Sequence, residues 1–302
     1  MIDHDNAYGG LVEARDDARW AFGTGFDDPL AGVDTTLPPG VDGGALAVYC
    51  LMLADDALVA SQRLAQWSTH APELEEEVAL ANIGLDLLGQ ARLLLARAAA
   101  ADASVVPALP AGSPVPPEDA LAFFRGASEF RNVVLCEIAN GDFADAVARL
   151  LIFSTWRLAL LQRLRSSADP VLAAVAAKGA NEVTYHRDYA ARWVVTLAGG
   201  TDLSRRRIAA AIPRVWPYVA ELFTGHPTER SLVATGVGVD TAELRPEFDK
   251  VIGTVLHAAG LPVPDIADAV GMTGRDGAHS AALDAMLAEM QDVARTHPMG
   301  RW

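Results

Sequence analysis

Cysteine is nearly absent from this chain. Cys50 and Cys136 are the only two in 302 residues, too few for a disulfide framework, and neither has the local spacing of a metal or redox motif, so both read as small buried hydrophobes. Basic residues are scarce as well. Against 39 Asp and Glu stand 24 Lys and Arg, a formal net charge of -15, which argues against a phosphate-backbone binder or a polybasic membrane anchor. Neither nucleic acid nor a membrane is expected as a partner. Long hydrophobic runs are missing: stretches such as Ala45 to Ala54 fall far short of the ~20 residues that span a bilayer. The opening Met1-Ile2-Asp3-His4-Asp5 has neither the basic nor the apolar region of a signal peptide, and together with the lone cysteines this points to a reducing cytoplasm. Walker-type loops, dinucleotide fingerprints and nucleophile elbows are absent, strand-like alternation is almost so, and no internal repeat is visible.

What is present is apolar and helical. The hydrophobic fraction is 51% with a mean hydropathy of +0.18; a chain this apolar and this acidic must hide a large interior or give apolar surface to a partner. Residues 1–43 read as an N-terminal extension, with the Pro/Gly-containing stretch Pro29 to Gly44 as a connector. From Gly44 on, Leu46, Cys50, Leu53, Ala57, Ala60, Leu64 and Trp67 recur at three- and four-residue steps, which predicts a helix over 44–68. Pro72 and the acids Glu73, Glu75, Glu76 and Glu77 announce a second helix over 72–101. That helix is apolar on nearly every face from Ala79 to Leu95 and is expected in the middle of a bundle. A proline-rich linker over 102–117 leads to a helix over about 118–137, and further helices follow over 142–166 and, after Asp169-Pro170, over 170–198. Shorter helices are expected near 202–224, 245–258 and 279–296. The fold class is all-α: a four-helix bundle with additional C-terminal helices over 44–302.

A few polar residues interrupt the apolar stripes. Glu182 and His186 face inward on the 170–198 helix, Asp56 leans into the seam of the first, and Asn82, Asp86 and Gly89 share a face of the second. Buried carboxylates are costly unless paired or metal-bound, and inward carboxylates with a His are the ingredients of a di-iron carboxylate site. Such a site takes a Glu-x-x-His from each of two helices, because that pair aims both ligands at one metal. Here Asp86 is followed by Gly89 where His is required, and His186 is preceded by Val183 where a carboxylate is required. Glu182 and His186 are one residue too far apart for the same bite. The spacing favours a metal-free polar network, with Arg157 or Asn82 as partners. The alternative is a self-sufficient di-metal carboxylate oxygenase with atypical ligands drawn from Asp56, Asp86, Glu137, Glu182 and His186. A third reading is a helical scaffold of unrelated function. Trp67, Trp156, Trp193 and Trp216 read as core, His70 as a turn residue, and Arg205-Arg206-Arg207 as a solvated helix start that could also steer a phosphate-bearing ligand.

The run Ala71 to Arg92, together with Asn140 to Ala144, Ala177 to His186, Trp216 to Phe223, His279 and Leu287 to Gln291, closely resembles the C subunits of phenylacetyl-CoA epoxidases (ring 1,2-phenylacetyl-CoA monooxygenases) of aerobic phenylacetate breakdown. The resemblance covers about residues 44–302, in order. It implies a ferritin-like fold and a division of labour. A separate, paralogous catalytic A subunit holds the di-iron centre that activates O2 and epoxidises the ring, and a separate reductase supplies electrons. The C-type chain has no cofactor of its own and supports the A subunit in a hetero-oligomer. Phenylacetyl-CoA at the interface is a further expected partner; since CoA carries phosphates, the loop-edge residues Arg131, Asn132, Arg230 and Ser231 are the expected contacts.

Overall fold

A bundle built from the chain's longest helices forms the centre of the molecule. The structure, a computed structural model, describes residues 29–267 and 273–300; most of the N-terminal extension, residues 1–28, lies outside the described residues. Among those described there are ten α-helices, six short 3-10 turns and no strand. Helix α1 (Gly43–Ser68) packs against α2 (Leu74–Ala101), α5 (Phe143–Leu164) against α6 (Pro170–Gly199), and α2 against α6. The short α3 (Pro117–Phe123) and α4 (Val134–Glu137) lie between the two pairs in sequence. Helices α7 (Asp202–Val215) and α9 (Arg245–Ala258) cover α5 and α6, α8 (Pro227–Val233) lies on α1, and α10 (Ala281–Thr296) lies on α3. This is the all-α bundle with C-terminal additions that the periodicity indicates, and it agrees with the ferritin-like fold that the resemblance implies.

Local chemistry sets the ends of these helices. Asp42, Asp142, Asp169 and Thr201 accept hydrogen bonds from first-turn N–H groups of α1, α5, α6 and α7. Asp169 does more. Its Oδ1 caps α6 through Leu172 N at 2.9 Å, while Oδ2 accepts from Arg97 Nε at 3.0 Å and Nη2 at 2.6 Å. Both side chains of this α2–α6 pair are fully buried, and the same guanidinium donates to the Thr35 carbonyl. Leu30 and Pro38 are also buried, so the irregular and largely exposed segment 29–42 is anchored to the bundle at these points.

The buried centre differs from expectation. Of the 22 residues of α5, 18 are buried, and 17 of the 26 in α1, but only 11 of the 28 in α2. The middle of the bundle is therefore α1 and α5, whereas α2 keeps Leu74, Val78, Leu85 and Leu88 in solvent. Helices α1 and α2 are each long and apolar enough to cross a membrane by length and composition alone. For α1, burial inside the protein accounts for that composition.

The helix expected over 118–137 is broken into α3, a 3-10 turn at Ala127–Glu129, and α4. Between them the N–H groups of Arg131 and Val133 donate to the buried carboxylates of Asp55 and Asp56, each at 2.8 Å, and Val134 N donates to Glu221 at 2.7 Å. Side-chain acceptors have replaced the helical carbonyls. Helix α2 begins at Leu74, leaving Pro72 in the preceding turn. The helix expected over 202–224 ends at Val215, beyond which Pro217 supplies no N–H. Helix α8, capped by His226 with Pro227 at its first position, is an addition to the expected elements. Of the tryptophans read as core, Trp156 and Trp216 are buried, while Trp67 and Trp193 are half-buried. Trp193 meets Phe143 edge-on at 5.0 Å.

Candidate functional site

The residues that stand where a bundle metal site would be lie between α2, α5 and α6. His186, buried on α6, places Nε2 3.0 Å from Asp86 Oδ2 on α2. Burial pushes the His186 pKa below its ordinary value against the pull of Asp86, so the ring is neutral at pH 7. One turn on, Glu182 Oε2 accepts from Gln90 Nε2 at 3.0 Å, and Lys178 lies 3.4 Å from its other oxygen. Gln90 Oε1 in turn accepts from Arg157 Nε at 3.1 Å, and Arg157 Nη1 donates to the Leu53 carbonyl of α1 at 3.2 Å. Arg157 is completely buried, and its Nη2 has no hydrogen-bond partner among the described residues. Burial lowers its pKa, opposed by the charge of Asp56, but a guanidinium keeps its proton. Gly179 makes the arrangement possible: a Cβ there would lie 3.1 Å from Gln90 Cδ and from Leu161.

These residues do not fit a di-metal centre. A permanent cation and a neutral amide occupy the interior, Val183 is buried among aliphatics, and the Gly89 position faces a cavity of about 230 Å³ that Pro29, Leu30 and Leu93 also line. Asp86 is 39% exposed at the rim, and Asn82 points to solvent outside the network. The five ligands of the alternative reading are not brought together either. Asp56 is held by Arg275 (2.8 and 3.0 Å) and Glu137 by His279 (2.6 Å), in separate places from Asp86–His186 and Glu182–Gln90. Among the described residues, the one cluster of three metal-ligating groups is Glu73, Glu75 and Glu76 at the surface.

A second polar assembly straps 125–137 and 273–280 onto α1. Arg125 reaches Asp55 (3.0 Å) and lies over the Phe130 ring, and Arg275 joins Asp56 to the carbonyls of Met52 and Arg131. Glu137 also accepts from Ser280 N and Asn132 Nδ2. Burial pushes the Glu137 carboxyl up, but these bonds outweigh it and hold it below its usual range. His279 is pushed down by burial, yet Glu137 and the Phe130 carbonyl hold it above its ordinary value. Sequence reasoning misses Gln90, Arg125, Arg275 and this use of His279, because buried Arg–carboxylate pairs leave no local spacing pattern.

The expected CoA contacts fall into two kinds. Asn132 is fully buried, its amide nitrogen donating to Glu137 and to the Val133 carbonyl while its Oδ1 has no hydrogen-bond partner among the described residues. Arg131 is half-buried with Nη1 donating to the Ser128 and Phe130 carbonyls. Arg230 and Ser231 are exposed on α8, bonded to the Gly225 and Thr228 carbonyls. In the Arg205–Arg207 run, Arg205 binds the Ala198 and Gly260 carbonyls and Arg207 lies 3.3 Å from Asp142, so two of the three arginines serve the fold.

The fold is that of an all-α, ferritin-like bundle, and sequence comparison gives its family: the chain belongs to the phenylacetic acid catabolic protein family, whose profile matches residues 34–302. The match starts inside the segment that reads as a connector, near Thr35, whose carbonyl is held by Arg97. Within the family, the C subunit of 1,2-phenylacetyl-CoA epoxidase from Escherichia coli (strain K12) is 42% identical over 257 residues, covering 85% of this chain and 99% of that one.

Proposed function

We propose that this chain is the structural, non-catalytic subunit of a multicomponent phenylacetyl-CoA epoxidase, supporting a separate di-iron A subunit in aerobic phenylacetate degradation in the cytoplasm. The observation that carries the reading is Arg157. A fixed positive charge in the middle of the bundle repels the cations a catalytic paralogue would hold there, and Gln90 takes up the space between it and Glu182. The near-complete coverage of the relative by this chain supports the assignment to the C-type subunits rather than to an unrelated helical scaffold. The chain itself would carry no cofactor; di-iron chemistry would be supplied by the partner.

Its contribution is then rigidity and coverage. The buried pairs Arg97–Asp169, Arg125–Asp55 and Arg275–Asp56 fix the helices and loops relative to one another, and a rigid neighbour can hold a catalytic chain in register, where ~1 Å of misplacement can cost ~100-fold in rate. CoA contact would fall to the exposed Arg230 and Ser231 and the half-buried Arg131, a reading supported only by their exposure and by the affinity of Arg for phosphates. Co-expression with the A subunit tests the reading: the two should copurify as a stable complex, and epoxidation of phenylacetyl-CoA should require both. Failure to associate, or full activity of the A subunit alone, overturns it.

A further inference from the structure

Between α3 and α10 lies a cavity of about 230 Å³. Pro116, Phe123, Phe124, Met290, Val293 and Ala294 make its wall largely apolar, and Asp119 is the one charged residue lining it. Hydrogen bonds set the spacing of the two helices. Gln291 Nε2 on α10 donates to the Ala122 and Arg125 carbonyls at 3.0 and 3.1 Å, and Arg295 donates to the Phe123 and Arg125 carbonyls at 3.1 and 2.8 Å. Phe123 and Phe124 are only half-buried and Val293 is 54% exposed; covering such surface contributes about 25 cal/mol per Å². An apolar cavity of about 150 Å³ holds a benzene ring, so this one has room for an aromatic side chain.

The chain itself runs up to this cavity. Gly300 is part of the wall, and the approach to it is tied down: the Ser113 hydroxyl donates to the Pro298 carbonyl at 2.7 Å, and Gly300 N donates to the His297 carbonyl at 2.8 Å. Arg301 and Trp302 follow in the sequence and lie outside the described residues. Two residues extend at most about 7 Å, which confines Trp302 to the neighbourhood of Gly300, and the cavity is part of that neighbourhood. The two side chains match what the wall offers. An indole is a large apolar ring system, and the guanidinium before it carries the charge opposite to that of Asp119. Burial and the charge of Glu118 hold the Asp119 carboxyl above its ordinary value, and Arg92, itself 3.5 Å from Glu118, opposes them without cancelling them. A further cation stabilises a carboxylate in that position.

We propose that the cavity between α3 and α10 is the docking site of this chain's own Arg301-Trp302 segment, the indole entering against Phe123, Phe124 and Val293 and the guanidinium standing at Asp119. The short tether favours this occupant over a free ligand or a second copy, because so short a link gives an effective concentration on the order of millimolar. Docking locks α10 onto α3 and completes the strap that begins at residue 273. It stands apart from the subunit reading, since it concerns how the chain closes on itself.

Fluorine NMR of the full-length protein labelled with fluorotryptophan reads the indole directly. W302F identifies the Trp302 resonance by its loss. A294F, which fills the cavity with a ring from α10, is the blocking variant; V293E, at a position open to solvent, serves the same purpose where A294F does not fold. Circular dichroism checks each chain. In the wild type the Trp302 resonance should be displaced from that of free fluorotryptophan and should not respond to exchange of water for heavy water. In the folded blocking variant it should move to the free position and gain that response. A wild-type resonance already at the free position and responsive to solvent overturns the proposal, as does a displaced resonance that the folded blocking variant leaves unchanged. A displacement that disappears on dilution, together with dissociation of a dimer, gives the site to the segment of a second copy and overturns docking within one chain.

Discussion

Two buried arginines illustrate how differently the same side chain can stand. Arg275 neutralises Asp56 through two hydrogen bonds, and among the described residues no other cation is bonded to that carboxylate. Replacing it by Met leaves a buried carboxylate unpaired, which costs about 3–5 kcal/mol. Arg157 instead donates to neutral acceptors, the Gln90 amide oxygen and the Leu53 carbonyl, and its Nη2 donates to no described residue. Replacing it by Met leaves two neutral acceptors short of a donor, about 1–3 kcal/mol each at most, partly offset by removing a desolvated cation. Urea unfolding should therefore show R275M as the more damaging change; the reverse order would mean that Arg157 is held by charge rather than by geometry. At this scale the sequence is only partly legible. Asp86, Glu182 and His186 stand out by their places in apolar stripes, with Arg157 as an expected partner. Gln90 does not, because its fit depends on the missing side chain of Gly179 on another helix.

Among elements, the strap of residues 273–280 over α1 and α4 should make stability depend on pH. His279 is raised by Glu137, so its contribution is complete below the unfolded value of 6.5 and is lost as pH rises through the folded value. Burial lifts Glu221 from 4.5 to about 7, opposed by N–H donors from Val134 and Gly274. Between those values the folded state holds a proton that the unfolded state has released, so stability again falls as pH rises. Glu137 is lowered, and its contribution is present above 4.5 and lost on acidification. His186 is lowered and works the other way, adding stability as pH climbs toward 6.5. The Glu221 contribution has fallen away by about pH 7, and from about pH 6.5 upward the His279 contribution is lost as well. The H279Q variant should show a smaller drop in urea midpoint between about pH 6.5 and about pH 9 than the wild type; an equal drop would locate the titration elsewhere. Helix positions are legible because caps and periodicity are local signals, as at Asp169-Pro170. The broken segment 118–137 is not, since the acceptors that interrupt it, Asp55, Asp56 and Glu221, come from distant parts of the chain.

For the molecule as a whole, high apolarity and a strong negative charge resolve into two different surfaces. Much of the apolar content lies in α1 and α5, deep in the bundle, and an exposed remainder is collected on one face of α2. Periodicity alone marks α2 as apolar all round and so places it at the centre; which neighbour covers each face is a property of the assembly, not of one helix. The inward acids of the bundle, Asp55, Asp56, Glu137 and Glu182, are each answered by Arg, His or Gln, which leaves them committed to the fold rather than free to join around a metal. The most direct test is to purify the complex with the A subunit, separate the two chains under non-reducing, metal-free conditions, and measure iron in each. About two irons are expected with the A subunit and none bound stoichiometrically by this chain, unchanged by E182A or H186A. Iron that stays with this chain and disappears in those two variants would contradict the non-catalytic reading.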